Sequence, residues 1–257
     1  MTESVFVMDK PDELTLTRFW ESRYQPLTTR IIQDLPIEPA WRCLDMAGGA
    51  GSLAYWLAER VGQGTVLAVD SDIRYLDDAR AANLEVRQLD ITSTDFTPGS
   101  FDLIVARGVL SGLPGADEML TQSVRWLAPG GWLVVEDFYF LPSEDAPTAA
   151  GRAVVDAYTK GFEARGADVR WARRLPAGMA RAGLTSLGVH VTPLGPGQSP
   201  GENALIRMRL QLQGHHLVEK GMVSAEQMAE FIASLDAPEA WDVTTLQFSV
   251  WGQRTTA

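Results

Sequence analysis

Two stretches decide the fold of this chain: Leu44-Asp45-Met46-Ala47-Gly48-Gly49-Ala50-Gly51-Ser52-Leu53-Ala54 and Val66-Leu67-Ala68-Val69-Asp70. They predict a buried strand, a glycine-rich turn, a helix, and a second strand that ends in a carboxylate. Glycines in the turn tolerate positive φ and let the backbone approach a ligand closely. The helix after the turn points its unpaired N–H groups and its positive dipole end at that ligand. Because Asp70 follows Gly51 by 19 residues, its carboxylate is placed to hold ribose hydroxyls, and the stretch predicts a nucleoside-cofactor site.

Two classes of cofactor fit this turn. Residues 49–54 match the dinucleotide pattern G-x-G-x-x-[G/A], with Asp70 near the ribose position. Asp45 favours the other class, because a carboxylate before the glycines repels a pyrophosphate and attracts a cation. The pattern D-x-A-x-G-x-G from Asp45 to Gly51 resembles motif I of class I S-adenosylmethionine (SAM) methyltransferases, whose cofactor carries an ammonium and a sulfonium. We expect SAM, and an NAD-dependent oxidoreductase is the less favoured alternative.

The resemblance to this family continues in the expected order along the chain. It covers motif II at 66–72, the third and fourth strands at 86–91 and 101–107, the L-x-P-G-G turn and fifth strand at 127–137, and the closing strand at 248–254. From residue 23 to 137 the chain is similar to actinobacterial-type methyltransferases of small-molecule metabolism. The resemblance implies an α/β, Rossmann-like fold with a mostly parallel seven-stranded sheet, helices on both faces and a small helical cap.

The resemblance also implies a set of SAM-binding residues. These are Asp45, Ala47, Gly49, Gly51, Asp70, Ser71, Asp90, Ile91 and Arg107. Asp45 and the turn backbone would face the methionine part, Asp70 the ribose, Asp90 and Ile91 the adenine, and Arg107 the region under the sulfonium. Independently of the family, Asp45, Asp70, Asp90, Arg107 and Asp137 each close a strand pattern, so they should gather at one edge of a parallel sheet. For Asp70 a helix N-cap, and for Arg107 a structural ion pair, stay open as alternatives.

The acceptor side of the site is less determined. Candidates for a general base are His215 and His216 on the proposed cap, and Asp137 and Tyr139 after the fifth strand. Acceptor contacts are expected from Tyr24, Gly112 and Tyr139. Related sequences commonly have a histidine where this chain has Gly112, so its absence enlarges the pocket or removes a proton acceptor. We expect methyl transfer to a small, secondary-metabolite acceptor (antibiotic biosynthesis is one setting), with S-adenosylhomocysteine as product. A non-methylating step on this fold, such as cyclisation, is the alternative.

The chain divides into three predicted regions. Residues 1–40 are expected to form amino-terminal helices over the site, with Pro26 breaking or restarting a helix from 12 to 34. Residues 41–201 and 240–257 form the SAM-binding core, in which 72–82 is predicted to be a helix and 193–201 a loop. Residues 202–239 form a helical cap between the last two strands, and Ser224-Ala225-Glu226-Gln227 resembles a capping box.

Composition narrows the partners. The 257 residues carry a net charge of −11, which disfavours a nucleic-acid partner because phosphates require a basic face. The one cysteine, Cys43, lies in a strand pattern and is expected to be a buried small hydrophobe. No leader, membrane span or metal-ligand spacing is evident in the sequence, so we expect a cytoplasmic enzyme without a metal. A homodimer stays open.

Overall fold

A single mixed sheet organises the chain. The structure, a computed structural model, describes residues 10–256. The strands are β1 Arg42–Met46, β2 Thr65–Asp70, β3 Leu84–Gln88, β4 Phe101–Arg107, β5 Leu127–Phe140, β6 Leu184–Leu194 and β7 Thr245–Arg254. Their order in the sheet is β3-β2-β1-β4-β5-β7-β6. Strands β1 to β5 pair in parallel, whereas β7 runs antiparallel to both β5 and β6. The predicted mostly parallel seven-stranded fold is therefore confirmed.

Seven α-helices lie in the described part of the chain. They are α1 Lys10–Gln33, α2 Ser52–Arg60, α3 Ala116–Trp126, α4 Ala149–Glu163, α5 Leu175–Arg181, α6 Pro200–Glu219 and α7 Ala225–Ser234. On one face of the sheet, Ile32 of α1 and Leu57 of α2 are buried in a single apolar cluster. On the other face, Leu120 of α3 and Met179 of α5 are buried in a second cluster. Because both faces are covered, β1 and β4 are buried over almost their whole length. None of the helices between residues 10 and 256 has the length and apolar character needed to cross a membrane.

Helices α6 and α7 lie between β6 and β7 in the chain, where the cap was predicted. They share an apolar cluster with α4 that includes Val154, Leu210 and Phe231. Helix α6 also contacts α1. The Ser224 hydroxyl accepts from the Gln227 N–H, and the Gln227 side chain accepts from the Ser224 N–H, as the capping box predicts. The division of the chain into a core and a cap remains a prediction.

Three predictions of local structure are wrong. Residues 72–82 form turns and a short 3₁₀ helix at Asp78–Arg80 instead of an α-helix. The Asp72 and Asp77 carboxylates accept from backbone N–H groups two residues on, which competes with helical bonding. Helix α1 continues through Pro26, whose ring lies on the exposed side. The loop predicted at 193–201 shrinks to 195–199, because β6 runs to Leu194 and α6 begins at Pro200.

Candidate functional site

The glycine turn joins β1 to α2 in a left-handed backbone conformation. Ala47, Gly49 and Gly51 have φ of 62°, 59° and 88°. Among these, Ala47 is a residue with a Cβ in a region that L-residues rarely occupy, which marks a constrained backbone. A Cβ on Gly51 would lie 2.4 Å from the ring of Tyr55. The turn therefore requires glycine at position 51 for both conformation and space.

Asp70 connects the end of β2 to this turn. Its Oδ2 accepts from the Gly49 N–H at 3.0 Å, and its Oδ1 accepts from the Asp72 N–H at 3.1 Å. No α-helix begins after it, so the alternative role as an α-helix N-cap is not realised. The neighbouring Ser71 is exposed, and its carbonyl accepts from the Gln88 side chain. Asp70 is thus held beside the turn at the end of β2, where its carboxylate would contact the hydroxyls of a bound ribose.

Asp45 and Arg107 are two buried charged residues at this edge of the sheet. Asp45 is 1% exposed and Arg107 is 7% exposed. Among residues 10–256, neither Oδ2 of Asp45 nor Nη1 of Arg107 has a hydrogen-bond partner. Burial raises the pKa of Asp45 to about 7; Arg107 opposes this rise, and the carboxylates of Glu21 and Asp70 add to it. No carboxylate of the described residues lies within 4.0 Å of the Arg107 guanidinium, so an ion pair of that kind is not its role. These buried atoms leave an acceptor and a donor to be satisfied by a ligand or by water.

Asp90 and Ile91 lie at the outer side of this edge, after β3. Asp90 is exposed and caps a short 3₁₀ helix at Ile91–Ser93. Its Oδ1 accepts from both the hydroxyl and the N–H of Thr92, and these bonds lower its pKa. Ile91 packs partly buried against the apolar core. The two residues stand where the resemblance places the adenine, and their binding role stays a prediction.

A cavity of about 490 Å³ lies between α1, α4, α6 and the carboxyl ends of β4 and β5. Seven aromatic side chains line it: Trp20, Tyr24, Phe138, Phe140, Tyr158, Phe162 and Phe231. Five charged residues line it as well: Glu13, Asp137, Arg165, Glu202 and Arg209. Tyr24 and Gly112, two of the three predicted acceptor contacts, border this cavity, whereas Tyr139 does not. A Cβ built on Gly112 meets no atom within 4 Å, so the glycine leaves open space there.

Asp137 lines the cavity but its carboxylate is fully engaged. Oδ2 accepts from the Ser111 N–H at 2.8 Å, and Oδ1 accepts from the Ser111 hydroxyl at 2.7 Å and the Phe138 N–H at 2.9 Å. Burial raises the pKa of Asp137, and these hydrogen bonds oppose the rise. The arrangement fixes the turn at Leu110–Gly112 beside the end of β5. The geometry gives Asp137 a positioning role, while its role as a base stays a prediction.

The other three candidate bases lie away from the cavity. His215 is exposed, and His216 is half-buried with its Nδ1 3.4 Å from Oε2 of Glu219. Neither histidine lines the cavity, because the face of α6 that does so presents Glu202, Ile206, Arg209 and Gln213. The Tyr139 ring packs against Phe248, and its hydrogen bond with Arg173 lowers its pKa. The structure therefore does not bring these three side chains together with the rest of the site.

The sequence prediction missed two buried carboxylates, one at the glycine turn and one in the cavity lining. Glu21 of α1 is 4% exposed, and its Oε1 accepts from the Ala50 N–H at 2.8 Å. Glu202 of α6 is also buried and accepts from the Tyr24 hydroxyl, with Arg23 3.6 Å away. Burial raises the pKa of both Tyr24 and Glu202. In each helix, a carboxylate that interrupts an apolar stripe was a signal for a buried acid, but it does not tell which groups that acid contacts.

Comparison with known proteins shows similarity to methyltransferases over part of the chain. Residues 43–131 match the model of a methyltransferase domain. The methyltransferase str3 of Strobilurus tenacellus is 32% identical over 140 residues, which is 52% of this chain and 49% of the relative. The chain thus spans about half the length of this and other curated relatives, among them two trans-aconitate 2-methyltransferases. These matches confirm the family resemblance of the sequence motifs.

Solved structures confirm the fold. A phosphoethanolamine N-methyltransferase of Haemonchus contortus, solved with S-adenosylhomocysteine, superposes with a TM-score of 0.61 at 15% identity, over 90% of this chain and 53% of that chain. The [4+2]-cyclase SpnF superposes with a TM-score of 0.57 at 16% identity, over 90% and 81% of the two chains. At such low identity these superpositions establish the shared fold.

Replacing Asp45 by Asn should stabilise the ligand-free protein at neutral and alkaline pH. The folded pKa of about 7 lies above the ordinary value of 3.8, so the folded state binds this proton more tightly than the unfolded state does. The Asp45 contribution therefore weakens folding as pH rises from about 4 to 7. We expect the Tm advantage of Asp45→Asn to grow between pH 5 and pH 8 by on the order of 5 °C. A thermal melt at each pH measures it, with exposed Asp34→Asn as control; an advantage independent of pH would contradict it.

Proposed function

We propose that the chain is a class I SAM-dependent methyltransferase and that it transfers a methyl group from SAM to a small molecule bound in the cavity. One observation carries this proposal: the acidic glycine turn and the aromatic cavity are neighbours at one edge of the sheet. Trp20 borders both, because its ring lies 5.7 Å from the Arg107 guanidinium and also lines the cavity. Gly108 follows β4, and a Cβ at this position would lie 3.4 Å from the Trp20 ring, so glycine leaves space beside that ring.

The residues of the turn fit SAM in charge and shape. SAM would supply a methyl group on a sulfonium, and S-adenosylhomocysteine would be the other product. Asp45 offers an unpartnered buried oxygen to the cationic methionine part, and the positive-φ backbone at Gly49 and Gly51 allows close approach. Asp70 stands at the end of β2 to hold the ribose hydroxyls, and Asp90 and Ile91 after β3 would contact the adenine. A dinucleotide fits less well, because its pyrophosphate would approach buried Asp45 and Glu21.

The cavity fits an apolar acceptor with at least one polar group. Trp20, Tyr24 and Phe138 form a cluster of edge-to-face rings, with centroids 5.2 to 6.3 Å apart, on its wall nearest Arg107. Such a wall excludes water and holds a reacting atom in line, which is most of what methyl transfer requires of a protein. Beside these rings, Glu202 accepts from the Tyr24 hydroxyl, and Glu202 and Arg209 supply charged groups to the lining. An acceptor from secondary metabolism, and a cytoplasmic setting, stay predictions from the family resemblance.

Direct measurement of transfer tests the proposal. The purified chain should bind SAM and S-adenosylhomocysteine, followed by tryptophan fluorescence, and should ignore NAD(H) in the same titration. Incubated with SAM carrying an isotopically labelled methyl group and a library of small apolar hydroxyl, amine and carbon nucleophiles, it should yield labelled product and S-adenosylhomocysteine. Mass spectrometry measures both. Failure to bind SAM at millimolar concentration would overturn the proposal, and binding of NAD(H) instead would favour the oxidoreductase.

Replacing Gly112 by Phe should separate acceptor binding from cofactor binding. The side chain would extend into the open space of the cavity, so transfer to any acceptor should fall by about tenfold or more. Because Gly112 does not touch the glycine turn, the dissociation constant for S-adenosylhomocysteine should be unchanged. Gly62→Phe, at another glycine whose Cβ would meet no atom within 4 Å, is the matched control. An unchanged transfer rate in Gly112→Phe would place the acceptor elsewhere.

Cyclisation is the second candidate function. It is favoured by Asp137, whose oxygens are all engaged, and by the open space at Gly112, since both remove a base from the expected positions. The superposition with a [4+2]-cyclase concerns the fold alone. Product mass decides between the two: methyl transfer adds one methylene unit and consumes SAM, whereas cyclisation yields an isomer and leaves SAM intact.

A further inference from the structure

The carboxylate of Glu21 contacts the glycine turn, although Glu21 belongs to α1 and is far from the turn in sequence. Its carboxylate is buried, and Oε1 accepts from the Ala50 N–H at 2.8 Å. The same oxygen lies 3.0 Å from the point where a Cβ on Gly49 would stand. Gln25, one helical turn later, donates from Nε2 to the Ser52 carbonyl at 3.2 Å. Helix α1 therefore closes over the turn, and Glu21 is the acidic group that it brings there.

The charge around Glu21 is not balanced by the protein. Glu21, Asp45 and Asp70 surround the turn, and burial beside the other two raises the pKa of Asp45. The Arg107 guanidinium opposes this rise. Two atoms at this place lack a hydrogen-bond partner among residues 10–256, namely Oδ2 of Asp45 and Nη1 of Arg107, and both side chains are more than nine-tenths buried. A buried acidic site with an unpartnered acceptor and an unpartnered donor suits a ligand that brings positive charge, a hydrogen-bond donor and a hydrogen-bond acceptor.

We propose that Glu21, together with Asp45, binds the ammonium group at the methionine end of SAM. The inference rests on the proposed function, in which SAM occupies the turn. An ammonium group offers three N–H donors, and the carboxylates of Glu21 and Asp45 would accept two of them. Glu21 also joins the cofactor to the acceptor cavity, because the adjacent Trp20 and the nearby Tyr24 form the cavity wall. Helix α1 thereby completes both sites.

Three ligands that differ at the methionine end test this role. SAM and S-adenosylhomocysteine both carry the ammonium group, whereas 5′-methylthioadenosine keeps the adenosine and the thioether and lacks it. In Glu21→Gln, an amide oxygen still accepts from the Ala50 N–H and only the charge is lost. We expect this variant to bind SAM and S-adenosylhomocysteine roughly tenfold or more weakly, by similar factors, and 5′-methylthioadenosine as the wild type does. Glu59→Gln, an exposed substitution on α2 with the same change in charge, should leave all three affinities unchanged.

The outcomes distinguish the role of Glu21 from the choice of cofactor. If the wild type binds none of the three ligands, the proposed function itself fails. If the wild type binds them and Glu21→Gln does too with unchanged affinity, only the role of Glu21 is overturned. Tighter binding of SAM by Glu21→Gln would also overturn it, because Glu21 would then obstruct the site. Equal weakening of all three ligands would indicate a distorted turn and a structural role for the side chain.

Discussion

A carboxylate buried near the end of β1, an interior strand of the sheet, is the constraint on which this site depends. Asp45 closes β1 between β2 and β4, and its side chain is almost completely withdrawn from water. Burying a charge without a close partner is costly, so the folded chain either holds a proton on Asp45 or binds a cation beside it. A pKa of about 7 means that both options are available near neutral pH. The site is therefore less stable than a fully satisfied core and is suited to a cationic cofactor.

Helix α1 connects the turn around Asp45 to the sheet and to the cavity. Glu21 accepts from the turn, and Thr28 of the same helix donates to buried Glu136 on β5, which also accepts from Ser249 on β7. Trp20 and Tyr24 then face the cavity that α4 and α6 enclose. In the proposed function, the cofactor and the acceptor would therefore both be bound in part by this one helix. Any movement of α1 would change both sites together.

The sequence predicted the sheet and the cofactor edge because both depend on local signals. Apolar runs ending in Asp45, Asp70 and Arg107 correspond to β1, β2 and β4, and a parallel sheet brings such ends to one edge. The helix predicted at 72–82 was wrong because its apolar spacing was countered by Asp side chains that bond the backbone locally. Glu21 could not be assigned, since its contact with Ala50 depends on how α1 packs across the sheet. The faces of α6 were ambiguous for the same reason, and the cavity receives Glu202 and Arg209 in place of the two histidines.

Proton release on cofactor binding tests the central claim most directly. At about pH 6, a carboxyl with a pKa near 7 is mostly protonated, whereas the amino group of S-adenosylhomocysteine already carries its positive charge. Titration calorimetry with S-adenosylhomocysteine in two buffers of different ionisation enthalpy measures the protons exchanged. The account predicts release of close to one proton per ligand by the wild type, and none by Asp45→Asn. Binding by the wild type without proton release, or with proton uptake, would contradict it.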